Sequence, residues 1–331
     1  MTKQQELLDS NGYPIEFGCA FTPIIHTNRE KACQFRLKEW DFYQISDESY
    51  TLQVTYGHVS YAGAINVCLF GYNNERYEVT LPLIFPFGSL NLPPKADTPY
   101  HLFKHTKNFK LDITHSGEGE RNITFRAKST KHGDCSIDLK LTYPKTDEGI
   151  LVVTPFKNKK HFYHNYKQNC WRAEGTIVMG GKTHTFTPPK AFGLIDWGRG
   201  VLPYIHSWWW GCGSTDMDGN RLGFNIGEFG DTHFATENTL FYNGKAHKLA
   251  DIAYKKMGGY NDKMVFTSTD DRFEMVFTPI YDNYTNLNLL VAHNRCHQVF
   301  GYWSGTVILD DSTIIQVKDM FAFVEFAKNR W

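Results

Sequence analysis

The chain lacks the features that most often give a function away. Its 35 Lys and Arg balance 35 Asp and Glu. Without a basic field nothing neutralises a phosphate backbone, so the sequence predicts no nucleic-acid partner. Its 7 cysteines (Cys19, Cys33, Cys68, Cys135, Cys170, Cys212 and Cys296) are odd in number, scattered and never in a C-x-x-C pair. They read as buried reduced thiols rather than a disulfide framework. No G-x-G-x-x-G opens a helix, and neither a complete P-loop nor a G-x-S-x-G elbow occurs. Nucleotide-dependent chemistry and serine hydrolysis are disfavoured, and no cofactor is expected. The opening residues 1–14 hold no apolar run, and no stretch of about 18 apolar residues follows. The expectation is a soluble cytoplasmic protein with no membrane span; the oligomeric state is left open.

Aromatic residues, by contrast, are abundant at 15%, with 25 Phe, 18 Tyr and 8 Trp. Each such ring removes about 150–250 Å² from water when buried, so the interior must be wide or must contain something. An aromatic-lined interior that encloses a mostly apolar small molecule is expected. Hydrophobic residues at 41% and charged residues at 21% are those of an ordinary globular chain,. At 331 residues the chain exceeds the usual single core,.

Helical periodicity is almost absent. Short runs rich in Val, Ile, Thr, Tyr and Phe recur at 51–56, 64–72, 110–114, 122–127, 136–143 and 151–155, each bounded by turn residues,. A second series runs through 173–179, 184–188, 208–211, 221–226, 239–242, 263–267, 273–279, 286–292, 300–309 and 313–317. Gly180-Gly181, Asp218-Gly219-Asn220, Asn243-Gly244 and Asp310-Asp311 fall between runs, where left-handed residues close hairpins,. These patterns predict an all-β protein of two consecutive lipocalin-like antiparallel β-barrels, residues 1–165 and 166–331, divided in the polar stretch 157–167. The tail from Asp319 to Trp331 spaces its apolar residues so that one face of a short C-terminal helix could pack on a barrel.

Residues 192–213, F-G-L-I-D-W-G-R-G-V-L-P-Y-I-H-S-W-W-W-G-C-G, set ionisable groups among many rings. A loop here could aim Asp196 and Arg199 at one point as an ion pair, or the pair could merely staple the loop to a barrel rim. Gly198 and Gly200 imply close backbone approach or unusual dihedrals around Arg199. In a strand, Trp208 and Trp210 share one face and Trp209 takes the other.

The set D-W-G-R-G-V-L-P-Y, G-F-N-I-G-E-F-G-D-T at 223–232, T-E-N at 236–238, H-Q-V-F-G-Y-W-S-G-T-V at 297–307 and the ending D-M-F-A-F-V-E-F-A-K-N-R-W resembles the domain-of-unknown-function 2804 family. That family is similar in architecture to the carotenoid 1,2-hydratase and AttH-like group of two-barrel proteins that bind hydrophobic molecules. The resemblance implies acid-catalysed chemistry on an olefin or polycyclic ligand, without a redox cofactor.

The catalytic candidates are Asp196, Arg199, His164 and Glu237. His164 titrates nearest neutral pH and sits at the expected module boundary. Glu237, with Glu228, Asp231 and Asn225, lies in apolar company that would raise a carboxyl's proton affinity, unless these groups only satisfy turn backbones. Trp197, Trp208 and Trp210 are candidate ligand platforms, and Tyr204, His206, His297 and Tyr302 carry polar tips able to point into a cavity. The spacings of His101 with His105 and of His161 with His164 would suit Zn²⁺ on a helix, but both runs read as irregular and no metal is expected. The leading expectation is a cofactor-independent hydratase, lyase or isomerase acting on an isoprenoid, steroid or lipid. A non-catalytic hydrophobic-ligand carrier is the first alternative. A carbohydrate-binding or carbohydrate-processing protein, which would need exposed tryptophans on an open groove, is the second.

Overall fold

The computed structural model describes residues 1–84, 86, 90–230, 233–288 and 293–330. Alternating inward apolar and outward polar residues drive strand formation. In Glu120–Thr130, Arg121, Ile123, Phe125 and Ala127 turn inward while Thr124, Arg126 and Lys128 face solvent,. The single helical element among the described residues is a turn of 3₁₀-helix at Arg29–Lys31.

Apart from a short parallel pair, Gln5–Glu6 with Ile25–His26, the strands build two curled antiparallel half-barrel sheets, of 13 and 9 strands. In the first, the path runs Arg76–Ile84, Ala62–Gly71, Tyr50–His58, Leu37–Ser46, Phe192–Val201, Phe162–Met179, Gly133–Thr142, Glu120–Thr130, Phe109–His115, Tyr100–His105. At the centre of the second, Ile314–Arg330 lies between Ile205–Met217 and His293–Ile308. The chain leaves the first sheet at Val201 and enters the second at Ile205. The expected module boundary at 165/166 falls inside the strand Phe162–Met179, whose polar residues prove to be one face of a central strand rather than a linker.

Three apolar layers result. The first sheet curls around a core that includes Leu111, Phe125, Trp171, Ile195 and Trp197. The second encloses Phe224, Phe266, Phe277, Trp303 and Val324. Their outer faces meet through Phe70, Leu194, Trp210, Phe300 and Phe323. Polar ties cross the same junction: Gln53 Nε2 donates to Gln298 Oε1 at 2.6 Å, and Arg76 Nη1 to Asn283 Oδ1 at 2.6 Å.

The C-terminal tail is not a helix. It is the strand Ile314–Arg330, and its position explains the misleading pattern. Val324 and Phe326 enter the second core while Phe321 and Phe323 enter the junction. A strand buried on both sides loses its alternation and reads as a continuous apolar run.

The segment 192–201 is also a strand, Phe192–Val201, and Gly198 sits opposite Trp40 in its ladder. A Cβ at Gly198 would overlap the Trp40 ring, and one at Gly200 would come within 2.9 Å of the Phe162 carbonyl oxygen. Close approach, not a left-handed backbone, is what these glycines serve. Gly198→Ala is therefore expected to destabilise the protein by about 1–3 kcal/mol through overpacking, read as a lower urea midpoint at unchanged slope.

Candidate functional site

Strand alternation sorts the ionisable groups of the first sheet. Along Phe162–Met179, Tyr163, Asn165 and Lys167 face the second sheet, as does Asp196 on the neighbouring strand. Tyr166, Ile195 and Trp197 face inward, into the first core, and His164 and Arg199 share that inward face by strand parity,. From the second sheet, Trp208, Trp210, Gln298 and Glu325 face back across the junction. Between the two faces lies a cavity of about 590 Å³, walled by Trp40, Phe42, Leu202, Trp208, Trp210 and Phe229. Trp209 takes the other face of its strand and packs in the second core, as alternation requires.

Lys167 organises the floor of this cleft. Its ammonium donates to Tyr163 Oη at 2.8 Å, Asn165 Oδ1 at 3.0 Å and Glu237 Oε1 at 2.9 Å, so all three protons are used,. Asp196 Oδ1 stands 3.6 Å from the same nitrogen and accepts from Asn165 Nδ2 at 2.5 Å. Glu237 is braced from behind by Asn225 Nδ2 at 3.1 Å, and Asn225 in turn accepts from Trp210 Nε1 at 2.7 Å. The Lys167 side chain is 5% exposed and that of Glu237 7%, so the pair is sealed from bulk water. Burial works against the charge on Lys167, but the Asp196 and Glu237 carboxylates outweigh it and raise its pKa above the ordinary value,. Burial raises the Asp196 carboxyl despite Lys167, and holds the Tyr163 hydroxyl well above the usual phenol range.

Glu325 stands on the opposite wall. Its Oε1 accepts from Trp208 Nε1 at 2.9 Å and its Oε2 from Gln298 Nε2 at 3.3 Å. Burial pushes its carboxyl up to about 7, against the Trp208 hydrogen bond and with help from the Asp196 charge. Burial likewise keeps the neighbouring Cys296 as a thiol. The cleft thus holds a locked cation–carboxylate pair on one side and, on the other, a carboxyl poised between acid and base near neutral pH.

Asp196, Glu237, Trp208, Trp210, Asn225 and Glu228 of the sequence candidates line or brace this cleft. The expected Asp196–Arg199 pair does not form, because residues three apart on a strand point to opposite faces. Arg199 is fully buried on the inner face, where it binds Asp41 at 2.8 Å, lies 3.4 Å from Glu39 and stacks 4.0 Å from the Trp197 ring. His164 is buried beside it, 3.1 Å from Thr27 Oγ1, its pKa lowered to about 3 by burial and by Arg199. Tyr204 is exposed between the sheets' strands. His206 and His297 lie at the end of the second sheet, with His297 2.7 Å from Asp282. Tyr302 packs on Phe321, and Asp231 lies outside the described residues. His101 and His105 belong to a strand, Tyr100–His105, and both bind Asp112, at 2.7 and 2.8 Å.

Lys167, Tyr163, Asn165, Gln298 and Glu325 escaped the sequence reading. Signals for two of them existed. Lys167 ends the ring-rich stretch 161–167, and Glu325 is the sole acid within the apolar run from Met320 to Ala327.

The whole chain, residues 1–331, matches the family described as Domain of unknown function (DUF2804). The chain belongs to that family. No match is found among curated proteins. Solved structures similar to this DUF2804 chain share its fold at low identity. An AttH candidate from Nitrosomonas europaea is 10% identical, with a TM-score of 0.52 over 92% of this chain and 95% of that one. CghA with Sch210972 is 8% identical, with a TM-score of 0.52 over 99% and 97%. Kievitone hydratase from Nectria haematococca is 10% identical, with a TM-score of 0.51 over 99% and 97%.

Two outcomes follow from the cleft of the DUF2804 chain. Lys167→Met leaves Glu237 and Asp196 buried without their cation, and is expected to cost about 3–5 kcal/mol in denaturant unfolding. Glu325 carries an ordinary pKa of 4.5 when unfolded and about 7 when folded. The folded state therefore holds its proton longer, and this group's contribution to stability is full below 4.5 and lost as pH rises to about 7,. Glu325→Gln should flatten that part of the stability–pH curve.

Proposed function

We propose that the cleft between the two sheets is the active site of a cofactor-independent acid/base enzyme, of hydratase, lyase or isomerase type, acting on a hydrophobic small molecule. An isoprenoid, a steroid or another lipid has the size and polarity to fill it. The observation that carries this reading is the convergence of Glu325, Asp196 and the Lys167–Glu237 pair on a cleft that is ring-lined around Trp40, Phe42, Trp208, Trp210 and Phe229 and polar around Gln53, Asn66, Arg76 and Asn283. This reading puts the proton chemistry on Glu325 and Asp196, which face the cleft, while Arg199 and His164 lie on the other face of their strands. A kievitone hydratase and a CghA with bound Sch210972 among the proteins of similar fold support a small-molecule reaction here, through fold alone,.

In this reading Glu325 delivers its proton either to an olefinic carbon of the bound molecule, where the π electrons form the new carbon–hydrogen bond, or to a carbinol oxygen, whose carbon–oxygen bond then breaks to release water. The Trp208 and Trp210 faces stabilise the cationic charge that develops, and Trp208 and Gln298 stabilise the carboxylate left behind. For a hydration, water adds to the cation and its surplus proton returns to Glu325. For an isomerisation, a neighbouring carbon–hydrogen bond gives up its proton instead. Asp196, tied to Lys167 through Asn165, is the second base within reach.

The carbohydrate reading fares worse, because Trp209 and Trp210 are 5% and 6% exposed rather than laid out on an open groove. The carrier reading is separated by experiment. Protein purified from its own host is extracted into organic solvent, and the retained molecule is identified and returned to fresh protein in D₂O. Conversion with deuterium uptake by wild type, reduced about 10²–10⁴-fold in Glu325→Gln, is expected. The rate should fall as pH rises through about 7, where Glu325 loses its proton. Recovery of the molecule unchanged and free of deuterium from wild type would make the protein a carrier.

A further inference from the structure

A second cavity opens where the strands of the second sheet end. It measures about 740 Å³ and shares Trp208, Trp209, Glu228, Phe229 and Ala327 with the cleft. Its chemistry is different. Lys157, Lys256, Arg295 and Lys328 line it, against one carboxylate, Glu228, in a chain whose net charge is zero.

The placement of these cations is costly. Arg295 and Lys328 are direct cross-strand partners, and like charges in that relation repel. Lys256 is partly buried, its ammonium 3.9 Å from the Tyr260 ring and 4.6 Å from that of Phe326. Burial alone lowers its pKa from the ordinary value, with no carboxylate offsetting it. Among the described residues none of the four cations makes an ion pair, whereas the buried Lys167 and Arg199 are each held by carboxylates. A concave, ring-lined site with an uncompensated positive field is arranged for an anion that arrives with apolar surface attached.

We infer that the ligand is an amphipathic organic anion, a carboxylate or phosphate ester, whose apolar body occupies the cleft while its anionic head sits among Lys256, Arg295 and Lys328. This rests on the cleft being the ligand site, and adds the chemical class of what it takes. Trp208 and Phe229, whose rings are 5.1 Å apart, form the collar between head and body. The neighbouring Phe156 and His206 rings continue it. Glu228 on the rim disfavours neutral or cationic heads less than it does the anion, so the selectivity comes from the basic cluster.

The test uses tryptophan fluorescence, because Trp208 and Trp209 line both cavities. Dodecanoate, dodecyl phosphate, dodecanol and methyl dodecanoate are titrated below their micellar concentrations. The two anions are expected to bind at least tenfold more tightly than the two neutral probes, with the preference shrinking as salt is raised. Which anion is tighter distinguishes a carboxylate from a phosphate ester. Lys328→Gln and Arg295→Gln, both exposed and remote from the Lys167 network, should each reduce anion affinity several-fold and leave dodecanol unchanged. Equal affinity for anions and neutral probes, or anion binding untouched by both substitutions, would overturn the inference and leave the cleft reading standing. Failure of all four probes to bind would count against the cleft itself.

Discussion

The Lys167 ammonium is what allows two carboxyl groups to share an apolar enclosure. Without a cation at that point, Glu237 and Asp196 would have to be protonated or drawn out to solvent, and the strands that carry them could not pack against the second sheet. With it, three residues of one strand, Tyr163, Asn165 and Lys167, form a polar floor whose hydrogen bonds close on themselves. The rest of the site is arranged around that floor. Trp210 covers the ammonium at 4.9 Å, and Asn225 relays between Trp210 and Glu237. On the facing wall stands Glu325, whose carboxyl burial pushes up to about 7.

A parallel economy operates on the other face of the same two strands. Arg199 is paired with Asp41 and near Glu39, and Glu39 in turn binds His58 at 3.1 Å and Arg29 at 2.8 Å. That network fills the interior of the first half-barrel, where a lipocalin-like fold would place its ligand. The interior of the second is filled by Phe266, Phe277 and Trp303. With both interiors filled, the cleft lies at the seam between the sheets, and the proposed site needs both of them.

The all-β class, the hairpin turns and the opposite facing of Trp208 and Trp209 were legible in the sequence, because each depends on neighbours along the chain. Asp196, Glu237 and Trp210 could be singled out as polar or aromatic groups in unusual company. Their partners could not. Lys167 and Asp196 meet by strand pairing across 29 residues, and Glu325 reaches them from the far end of the chain. Reading 192–201 as a loop put Arg199 beside Asp196, and only the pleat, which sends them to opposite faces, separates them. The tail's pattern imitates a helix because a strand buried on both faces has no polar side to alternate with. Residues near 165 belong to a central strand of the first sheet, since the polar stretch there is the cleft floor itself.

The direct hydrogen bonds from Gln53 to Gln298 and from Arg76 to Asn283 join one sheet to the other on the wall of the cleft. Asn169 adds two more, to the carbonyl oxygens of Gly213 and Phe224. Hinge-like parting of the halves would break all of these at once and bare the aromatic junction beneath them. If the cleft takes a guest as proposed, its exchange rate should follow the rings at the strand ends rather than any large-scale breathing of the fold.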